Sequence, residues 1–513
     1  MSLLLKAFPH GRPGPRLSSP WMSSLRMSSL RMSSPWISSP RARLTVVVSV
    51  LAMVAVLLPL AASAEARSGT RKQHASRHHA AHTVPGQPPH NYVMPATSFF
   101  SFPNRSRKER LAIRKRVLAT IQSVWGGRRT RIGTPLRTNG TIRIATWTFD
   151  DWDVAKALAA AHKRGVSVQV VAARSANRGH APWRWLRKRL GTRLHRQGRP
   201  TTREMYSFAR QCRGACRGPG GTPHAKYFLF DNVGANHIRN VVVQTSANLT
   251  TMAFQGQWNQ AQVMRSANVY TDFMGVYRQM RLGRPVARPY HVDAMGNVVD
   301  YFFPHPGATA SQDPVLQILN QAHCQGATAG GNRAGRTKVR IVQYAIYGER
   351  GVWIAKRLRH LWTLGCDVAI IYAVTSRPVL SILRSNTGRG AVPMRQSVVK
   401  DSWGNIVKYN HSKWMTITGR WGRSRATYLT FSGSANWANL AFGSDEQMQR
   451  IHSRTQAVRH LATFTKTWRQ RTSSRPGSDR VVAFGRTMGA WPVNEPAEPT
   501  WGKGIYRYLT PNG

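Results

Sequence analysis

The sequence predicts an α/β protein made of two duplicated halves, each containing a mainly parallel or mixed sheet. Three observations lead to this prediction. A His-x-Lys stretch occurs twice, strands alternate with helices in the same order in both halves, and 513 residues are enough for two domains with large cores. The repeat is close to 200 residues long, too large for a solenoid unit, and so indicates a duplicated domain.

The predicted elements follow one order twice. In the first half we expect a helix over 108–124, a strand over 141–147, a helix over 154–164 that Gly165 stops, and a strand over 166–172. Loops over 174–223 then lead to His224. In the second half, 301–304 corresponds to 99–103, and 314–322, 339–344, 352–362 with Gly365, and 367–373 correspond to the successive elements.

The repeated stretch itself reads HAKYFLFDNVGANHIRNVVVQTSANL over 224–249 and HSKWMTITGRWGRSRATYLTFSGSANW over 411–437. Residues two apart on a strand leave the same face, so each copy places an imidazole beside an ammonium. With short polar groups on the next strand, this suits an anionic, oxygen-rich group such as phosphate. Two copies suggest one paired site with a histidine from each half. The matched residues are His224 and His411, Lys226 and Lys413, Ser246 and Ser434, and Asn248 and Asn436.

The composition is strongly basic, with 75 Lys plus Arg against 19 Asp plus Glu and a formal charge of +56. Such a balance indicates anionic surroundings: nucleic acid, phospholipid headgroups or an acidic polymer. An Arg-rich compositional bias explains part of it equally well, so charge alone does not choose the substrate.

The N-terminal region predicts export. Arg41 and Arg43 precede an apolar run over 44–60, and Ala62-Ser63-Ala64 supplies an A-x-A cleavage site. A retained membrane anchor is the alternative, although the run is short for a membrane span. We therefore expect a secreted protein with a signal peptide over 1–64, whose true start is Met27 or Met32 if the first residues are over-long. A disordered basic linker over 65–95, two domains over 96–300 and 301–513, and a C-terminal tail within the second complete the division.

Four cysteines in an exported chain favour disulfides over a metal site. Three pairings exist, and we favour Cys212–Cys216 with Cys324–Cys366. The first pair would close a tight loop ahead of His224. The Gly-rich loop over 218–221 that follows either cradles phosphate through its backbone N–H groups or is a flexible connection.

Taken together, these motifs resemble the phospholipase D superfamily. The first copy has the full His224-x-Lys226-x4-Asp231 pattern and Ser246-x-Asn248, and the second repeats most of it. A lone HxK is weak, but the repeated combination over 96–470 is specific. The resemblance implies a bilobal fold in which two α/β sandwich domains bring their motifs together across a pseudo-two-fold axis.

The resemblance also implies phosphodiester cleavage through a covalent phosphohistidine, with no metal or cofactor. One histidine attacks phosphorus, while the other protonates the leaving alkoxide and then activates water or an alcohol. By position we assign His224 as nucleophile and His411 as acid/base, with the reverse as the alternative. Phosphate oxygens would be held by Lys226, Lys413, Asn248 and Asn436, and by Ser246 and Ser434 unless these are strand-end turn residues.

Three further positions carry open questions. Asp231 completes the first motif, but supports the structure more readily than the chemistry. The second motif has Thr418 at the equivalent position, which leaves a specialised or inactive half as an alternative. Glu446 stands where the family often has an acid that orients a motif histidine, unless it is a helix N-terminal acid; Asn259 and Gln260 occupy the corresponding place in the first half.

Three functions remain open. The favoured one is an exported phospholipase D-like hydrolase or transphosphatidylase, since duplicated halves in one chain look more like the lipid-cleaving members. A secreted nuclease and a catalytically impaired binder of anionic polymer or membrane are the others. Exposed Trp183 and Trp185 would favour lipid and transient membrane contact, and the arginines of 174–217 would favour nucleic acid. We expect a monomer.

Overall fold

The computed structural model describes residues 90–128, 138–194, 205–400 and 406–470, and the backbone of a short strand, β20 (Ser473–Ser474). The predicted signal peptide, residues 65–89 of the predicted linker and the C-terminal tail from residue 475 lie outside these residues. Among the described residues, no helix combines the length and the apolarity needed to cross a bilayer.

The first half is a seven-stranded mixed sheet. Its spatial order is β5-β4-β2-β6-β7-β9-β1, in which β5, β4 and β2 are parallel and each later neighbour is antiparallel. Two short strands, β3 and β8, pair beside its edge. The strands are β1 (Ser98–Ser101), β2 (Thr141–Thr146), β3 (Phe149–Asp150), β4 (Ser167–Ala173), β5 (Phe208–Cys212), β6 (Tyr227–Asp231), β7 (Val241–Thr245), β8 (Leu249–Thr250) and β9 (Gln257–Arg265).

The second half repeats this sheet. The order β15-β14-β13-β17-β18-β19-β11 has the same pattern of parallel and antiparallel neighbours, and β10 extends its edge. The strand β16 pairs with β15 and also with β9 of the first half. The strands are β10 (His291–Met295), β11 (Val298–Phe302), β12 (Ala322–His323), β13 (Lys338–Ile346), β14 (Asp367–Thr375), β15 (Met394–Lys400), β16 (Ile406–Asn410), β17 (Lys413–Trp421), β18 (Ser424–Gly433) and β19 (Gln447–His452).

Helices flank both sheets. The helix α3 shows how their ends are specified: Asp151 accepts a hydrogen bond from the Val154 backbone N–H at its start, and Gly165, with φ of 94°, follows its end. Gly365 has the same φ after α8. The helices are α1 (Arg107–Arg110), α2 (Ala112–Gln122), α3 (Trp152–Lys163), α4 (Ala181–Leu190), α5 (Thr251–Gln255), α6 (Ala267–Met280), α7 (Pro314–Asn320), α8 (Gly348–Thr363), α9 (Arg377–Arg384), α10 (Leu440–Gly443) and α11 (Arg454–Trp468).

The predicted fold class is confirmed: two α/β halves repeat one mixed sheet about a pseudo-two-fold axis. The predicted strand over 166–172 is observed as β4, an uninterrupted buried run typical of a parallel strand covered on both faces. The domain boundary near residue 300 stays a prediction.

The expectation of loops alone over 174–223 was wrong. This region contains α4 and β5. The helix was hidden because four of its ten residues are basic, yet Trp183, Leu186 and Leu190 recur at helical spacing and are buried. The indole of Trp183 is fully buried and packs against Phe149, with ring centroids 5.8 Å apart, so it cannot serve as the membrane-facing residue we expected.

The two halves pack through an apolar layer. The Phe273 ring on α6 meets Phe302 of β11 edge-on at 4.8 Å, and the His460 ring on α11 meets Phe100 of β1 in the same way at 5.0 Å. Each half therefore packs one helix against a strand of the other half. Around the first contact, a buried cluster draws residues from both halves, including Tyr227, Val242 and Ile451.

Candidate active site

The two motif histidines lie just before equivalent strands. His224 precedes β6 and His411 precedes β17, so the HxK residues occupy the approach to each strand rather than its middle. The His224 backbone N–H donates to Asp445 O and that of His411 to Trp258 O, both at 2.9 Å. Both histidines are buried. Each motif is thus held by backbone of the opposite half.

The side chain that accepts a hydrogen bond from each imidazole also comes from the opposite half. Nδ1 of His224 lies 2.7 Å from Oε1 of Glu446, and Nδ1 of His411 lies 3.2 Å from Oδ1 of Asn259. Ser434 donates its hydroxyl to Glu446, and Ser246 donates to Asn259 Oδ1 at 2.7 Å. Ser246 and Ser434 therefore hold the groups that orient the histidines.

Two glutamines hold the backbone of the motif lysines from the opposite half. Gln447 accepts from the Lys226 backbone N–H and donates to its carbonyl, both at 3.1 Å. Gln260 accepts from the Lys413 backbone N–H at 3.1 Å and donates to its carbonyl at 3.2 Å. An amide side chain that bonds to both the N–H and the C=O of one residue fixes its backbone as a neighbouring β-strand would. The lysines are thereby set in register by the opposite half.

The lysine side chains are buried alongside an aromatic ring. Nζ of Lys226 donates to His224 O at 2.5 Å, and Nζ of Lys413 donates to His411 O at 2.8 Å. Trp147 lies 5.8 Å from the first ammonium and Tyr344 lies 4.8 Å from the second. Buried ammonium groups are costly without compensation, and ring faces supply part of it.

Trp147 and Tyr344 also cover the histidines, with ring centroids 5.3 Å from His224 and 4.7 Å from His411. Neither residue was predicted to belong to the site. Their matching positions could have indicated it, because each is an aromatic residue near the end of one of the equivalent strands β2 and β13. They form the walls of the paired site.

The electrostatics of the two halves differ. Burial lowers the pKa of His411 well below its ordinary value, and the charges of Lys413 and Lys226 lower it further. Burial by itself raises the pKa of Glu446, but the charge and hydrogen bond of His224, with Lys226 nearby, bring the net shift downward. Glu446 is therefore an ionised carboxylate behind His224, whereas His411 has a neutral amide behind it and favours its uncharged form.

The Asn248 and Asn436 side chains are buried two residues beyond the site serines. Asp231 lies elsewhere: it ends β6, five residues or roughly 16 Å past Lys226 along the strand, and forms an ion pair with Arg239 at 3.1 Å. Thr418 occupies the equivalent place on β17 and donates to Gly330 O at 2.8 Å. Both side chains therefore bond to groups other than the motif histidines and lysines.

A disulfide-closed loop and a Gly-rich loop precede His224 in the first half. Cys212 and Cys216 form this disulfide, and Cys324 and Cys366 form another in the second half. The following Gly-rich loop packs against the second half, since a Cβ on Gly221 would lie 2.1 Å from Gly443 O. Gly221 is thus required for a close approach of two backbones, and the contact replaces the open phosphate cradle we had considered.

Comparison with known proteins agrees with this geometry. Residues 136–281 match the family model described as "Cardiolipin synthase, PLD-like domain". No curated protein matches the chain in sequence. The solved structures it is similar to include phosphatidylserine synthase of Haemophilus influenzae (10% identity, TM-score 0.47, 75% of this chain and 88% of that one). They also include polyphosphate kinase of Porphyromonas gingivalis (13%, 0.42, 72% and 50%) and the phospholipase D family member Nuc of Salmonella typhimurium (17%, 0.23, 35% and 97%).

This chain thus spans about half the length of the polyphosphate kinase. The family match covers the strand β2 through the helix α6, which contains the first HxK motif and Asn259. The second half supplies the other motif and the carboxylate behind His224. Residues 136–281 are therefore a domain similar to the PLD-like domain of that family model, and the second half contains a second copy of its HxK motif.

Proposed function

We propose that the chain cleaves the headgroup phosphodiester of phospholipids through a covalent phosphohistidine. One observation carries the proposal. The Nδ1 atom of each motif histidine faces an acceptor from the other half, so both rings are oriented within one paired site that also contains the two motif lysines. The positive charges of the two buried lysines beside them suit a negatively charged phosphodiester.

The support behind each ring favours His224 as the nucleophile. Attack by its Nε2 on phosphorus gives a phosphorylated imidazole that carries positive charge, and the Glu446 carboxylate neutralises this charge from the Nδ1 side. Asn259 cannot do so for His411, because its amide is neutral. The Asn259 orientation is fixed by donation of its Nδ2 to Ala253 O at 2.9 Å, so Nδ1 of His411 must donate to its Oδ1.

His411 then acts as the acid and base. Its low pKa comes from burial and from the two lysine charges, and an arriving phosphodiester offsets those charges. The protonated Nε2 gives its proton to the leaving alkoxide as the P–O bond breaks. It next takes a proton from water or an alcohol, which attacks phosphorus and releases Nε2 of His224.

A lipid substrate is supported by the family description, which names cardiolipin synthase, and by two motifs within one chain. Whether water or an alcohol accepts the phosphatidyl group distinguishes hydrolysis from transfer. Release of choline, ethanolamine or glycerol from vesicles of the corresponding phospholipids tests the activity. His224→Asn and His411→Asn should abolish release, and His323→Asn, at an exposed position, should not.

Trapping tests the assignment of roles. Because His411 is needed to complete turnover, His411→Asn incubated with a lipid that has a good leaving group should accumulate one phosphatidyl group on the His224 peptide, detected by mass spectrometry. His224→Asn should accumulate none. The opposite pattern would reverse the roles.

A nuclease is the second candidate, on a specific surface feature. Trp152 is 39% exposed and meets Trp185 edge-on at 5.7 Å, while Arg189 stacks on Trp185 at 3.5 Å. Interleaved aromatic and cationic side chains suit unstacked bases and phosphates. Plasmid and single-stranded DNA serve as parallel substrates with the same variants. Nicking without headgroup release would move the assignment to nucleic acid.

We also propose that the chain is exported, on the basic residues, apolar run and A-x-A site over 41–64. Expression of the full chain in a bacterial host should yield medium or periplasmic protein beginning at Glu65. Cell-associated protein with an intact N-terminus would contradict export with cleavage.

A further inference from the structure

A second cluster of chemically active side chains lies away from the paired histidines. Asp272 belongs to α6, while Asp293 and Asp300 are direct cross-strand partners in the hairpin of β10 and β11. They are three of only 19 acidic residues in a chain with 75 basic ones. Like charges directly opposite each other destabilise a strand pair, so their convergence requires compensation.

A histidine completes the cluster. Nε2 of His291, two residues before Asp293 on β10, lies 2.6 Å from Asp272 Oδ1. One ligand-type atom from each of Asp272, His291 and Asp293 lies within 4.8 Å of the others. Around a metal ion with bonds of about 2.0–2.2 Å, neighbouring ligand atoms are separated by roughly 3–4 Å. Small side-chain movements would therefore bring all three onto one ion.

Asp300 provides an independent observation. Its side chain is fully buried, and its Oδ1 accepts from Gln449 at 2.7 Å, but its Oδ2 has no hydrogen-bond donor among the described residues. The same holds for Oδ2 of Asp272, whose side chain is 7% exposed. Two buried carboxylate oxygens without donors call for a positive charge between them.

The nearby arginine does not supply that contact. Arg217 lines the same cavity of about 550 Å³ as Asp272, His291 and Asp293. Its guanidinium donates to Gln279 Oε1 at 2.8 Å, to Phe303 O at 3.0 Å and to Pro289 O at 2.5 Å. Neutral acceptors thus occupy its donors, although its charge remains close to Asp272.

We propose that Asp272, His291 and Asp293, backed by Asp300, bind a divalent transition-metal ion such as Zn²⁺. A set that mixes imidazole with carboxylates favours such ions over Mg²⁺ and Ca²⁺, which prefer oxygen ligands alone. The ion would tie the hairpin to α6. Because β11 pairs with β19, which begins at Gln447 of the active site, the ion would brace the junction of the halves without entering the reaction.

The competing explanation is a proton shared between Asp272 and Asp300, which needs no metal. The test uses the purified full chain, stripped with chelator and titrated with Zn²⁺, and measures both bound Zn²⁺ by equilibrium dialysis and the melting temperature. His291→Gln and Asp293→Asn are the main variants, because both positions are partly exposed and tolerate change. Asp153→Asn, at an exposed carboxylate paired with Arg114, is the matched control.

We expect Zn²⁺ to raise the melting temperature of the wild type by on the order of 3 °C, and the control by as much. Each main variant should lose at least half of this rise and about one equivalent of bound Zn²⁺. Histidines in residues 65–95 are common to every variant, so binding there cancels in the comparison. Equal rises in all four proteins, or no rise with Zn²⁺ or Mn²⁺ in the wild type, would overturn the site and leave the shared proton.

Discussion

Oε1 of Glu446 lies 2.7 Å from Nδ1 of His224, although the two residues are 222 positions apart and belong to different halves. The matching residue behind His411 is Asn259, at 3.2 Å. Two sites related by a pseudo-two-fold axis therefore have the same geometry and different charge. Because of this asymmetry, substitutions behind the two histidines should have different effects.

Removal of the Glu446 charge should slow the reaction while leaving the fold intact. In Glu446→Gln an amide oxygen can still accept from Nδ1 of His224, but it cannot neutralise a phosphorylated imidazole. We expect kcat to fall by about 10²–10³-fold, the scale of a lost electrostatic contact to a transition state. Steady-state headgroup release measures this, with exposed Glu349→Gln as the control. An unchanged kcat would show that the carboxylate only positions the ring.

The converse change concerns His411. Asn259→Asp places a carboxylate behind its Nδ1, which favours the protonated form and raises the pKa of His411. The limb of the pH–rate profile that belongs to His411 should therefore move to higher pH. Asn259→Ala removes the acceptor without adding charge and should lower activity with no such displacement. Identical profiles for wild type and Asn259→Asp would contradict the role of His411.

The aromatic walls should matter for binding the phosphate. Loss of the ring in Trp147→Ala removes a partner of both Lys226 and His224. Since a desolvated cation–π contact contributes about 1–2 kcal/mol, kcat/KM should fall by about 5–30-fold. Trp147→Phe keeps a ring face and should recover most of the loss. Equal defects in both variants would point to packing rather than to the ring face.

The Asp231 and Thr418 positions should be nearly silent in catalysis. Asp231→Asn removes an ion pair with Arg239, whose side chain is 73% exposed, and such pairs contribute about 1 kcal/mol or less. We expect kcat within about threefold of wild type and a small decrease in melting temperature. Thr418→Asp should not raise activity, because it places a carboxylate beside Gly330 O. A large kcat change in either variant would bring these positions back into the chemistry.

A buried histidine outside the site predicts acid sensitivity. His460 packs edge-on against Trp414 and Phe100, and burial lowers its pKa to about 4. The unfolded chain, with a histidine pKa of about 6.5, therefore binds the proton first. The contribution of neutral His460 to the free energy of unfolding is fully present above pH 6.5. It declines as the pH falls toward 4, and the total loss is roughly 3 kcal/mol.

Melting temperatures between pH 7 and pH 4.5 test this expectation. His460→Gln should flatten the decline relative to the wild type, whatever its effect on absolute stability. The exposed substitution His323→Gln is the control and should leave the slope unchanged. Parallel curves for all three proteins would assign the acid sensitivity to other groups.

Much of the architecture could be predicted because it depends on local and periodic patterns. The strand β4 and the glycines that follow α3 and α8 were readable from apolar runs and helix-stop signals. The helix α4 was missed because four basic residues make it resemble a charged loop, and burial of its apolar face in the tertiary structure stabilises it as a helix. Trp183 was misplaced for the same reason, since residue type alone does not show which face of an element is covered.

The sequence by itself determined that the protein is duplicated and that His224 and His411 belong to one repeated motif, because spacing survives in the linear order of residues. Only the tertiary structure decided which half supports which histidine. Glu446 is nearer in sequence to His411, yet it faces His224, since the segment just before β19 lies against the first motif, where the His224 backbone N–H donates to Asp445 O. Contacts across a pseudo-two-fold axis join residues about 150–220 positions apart, and no local pattern encodes such pairs.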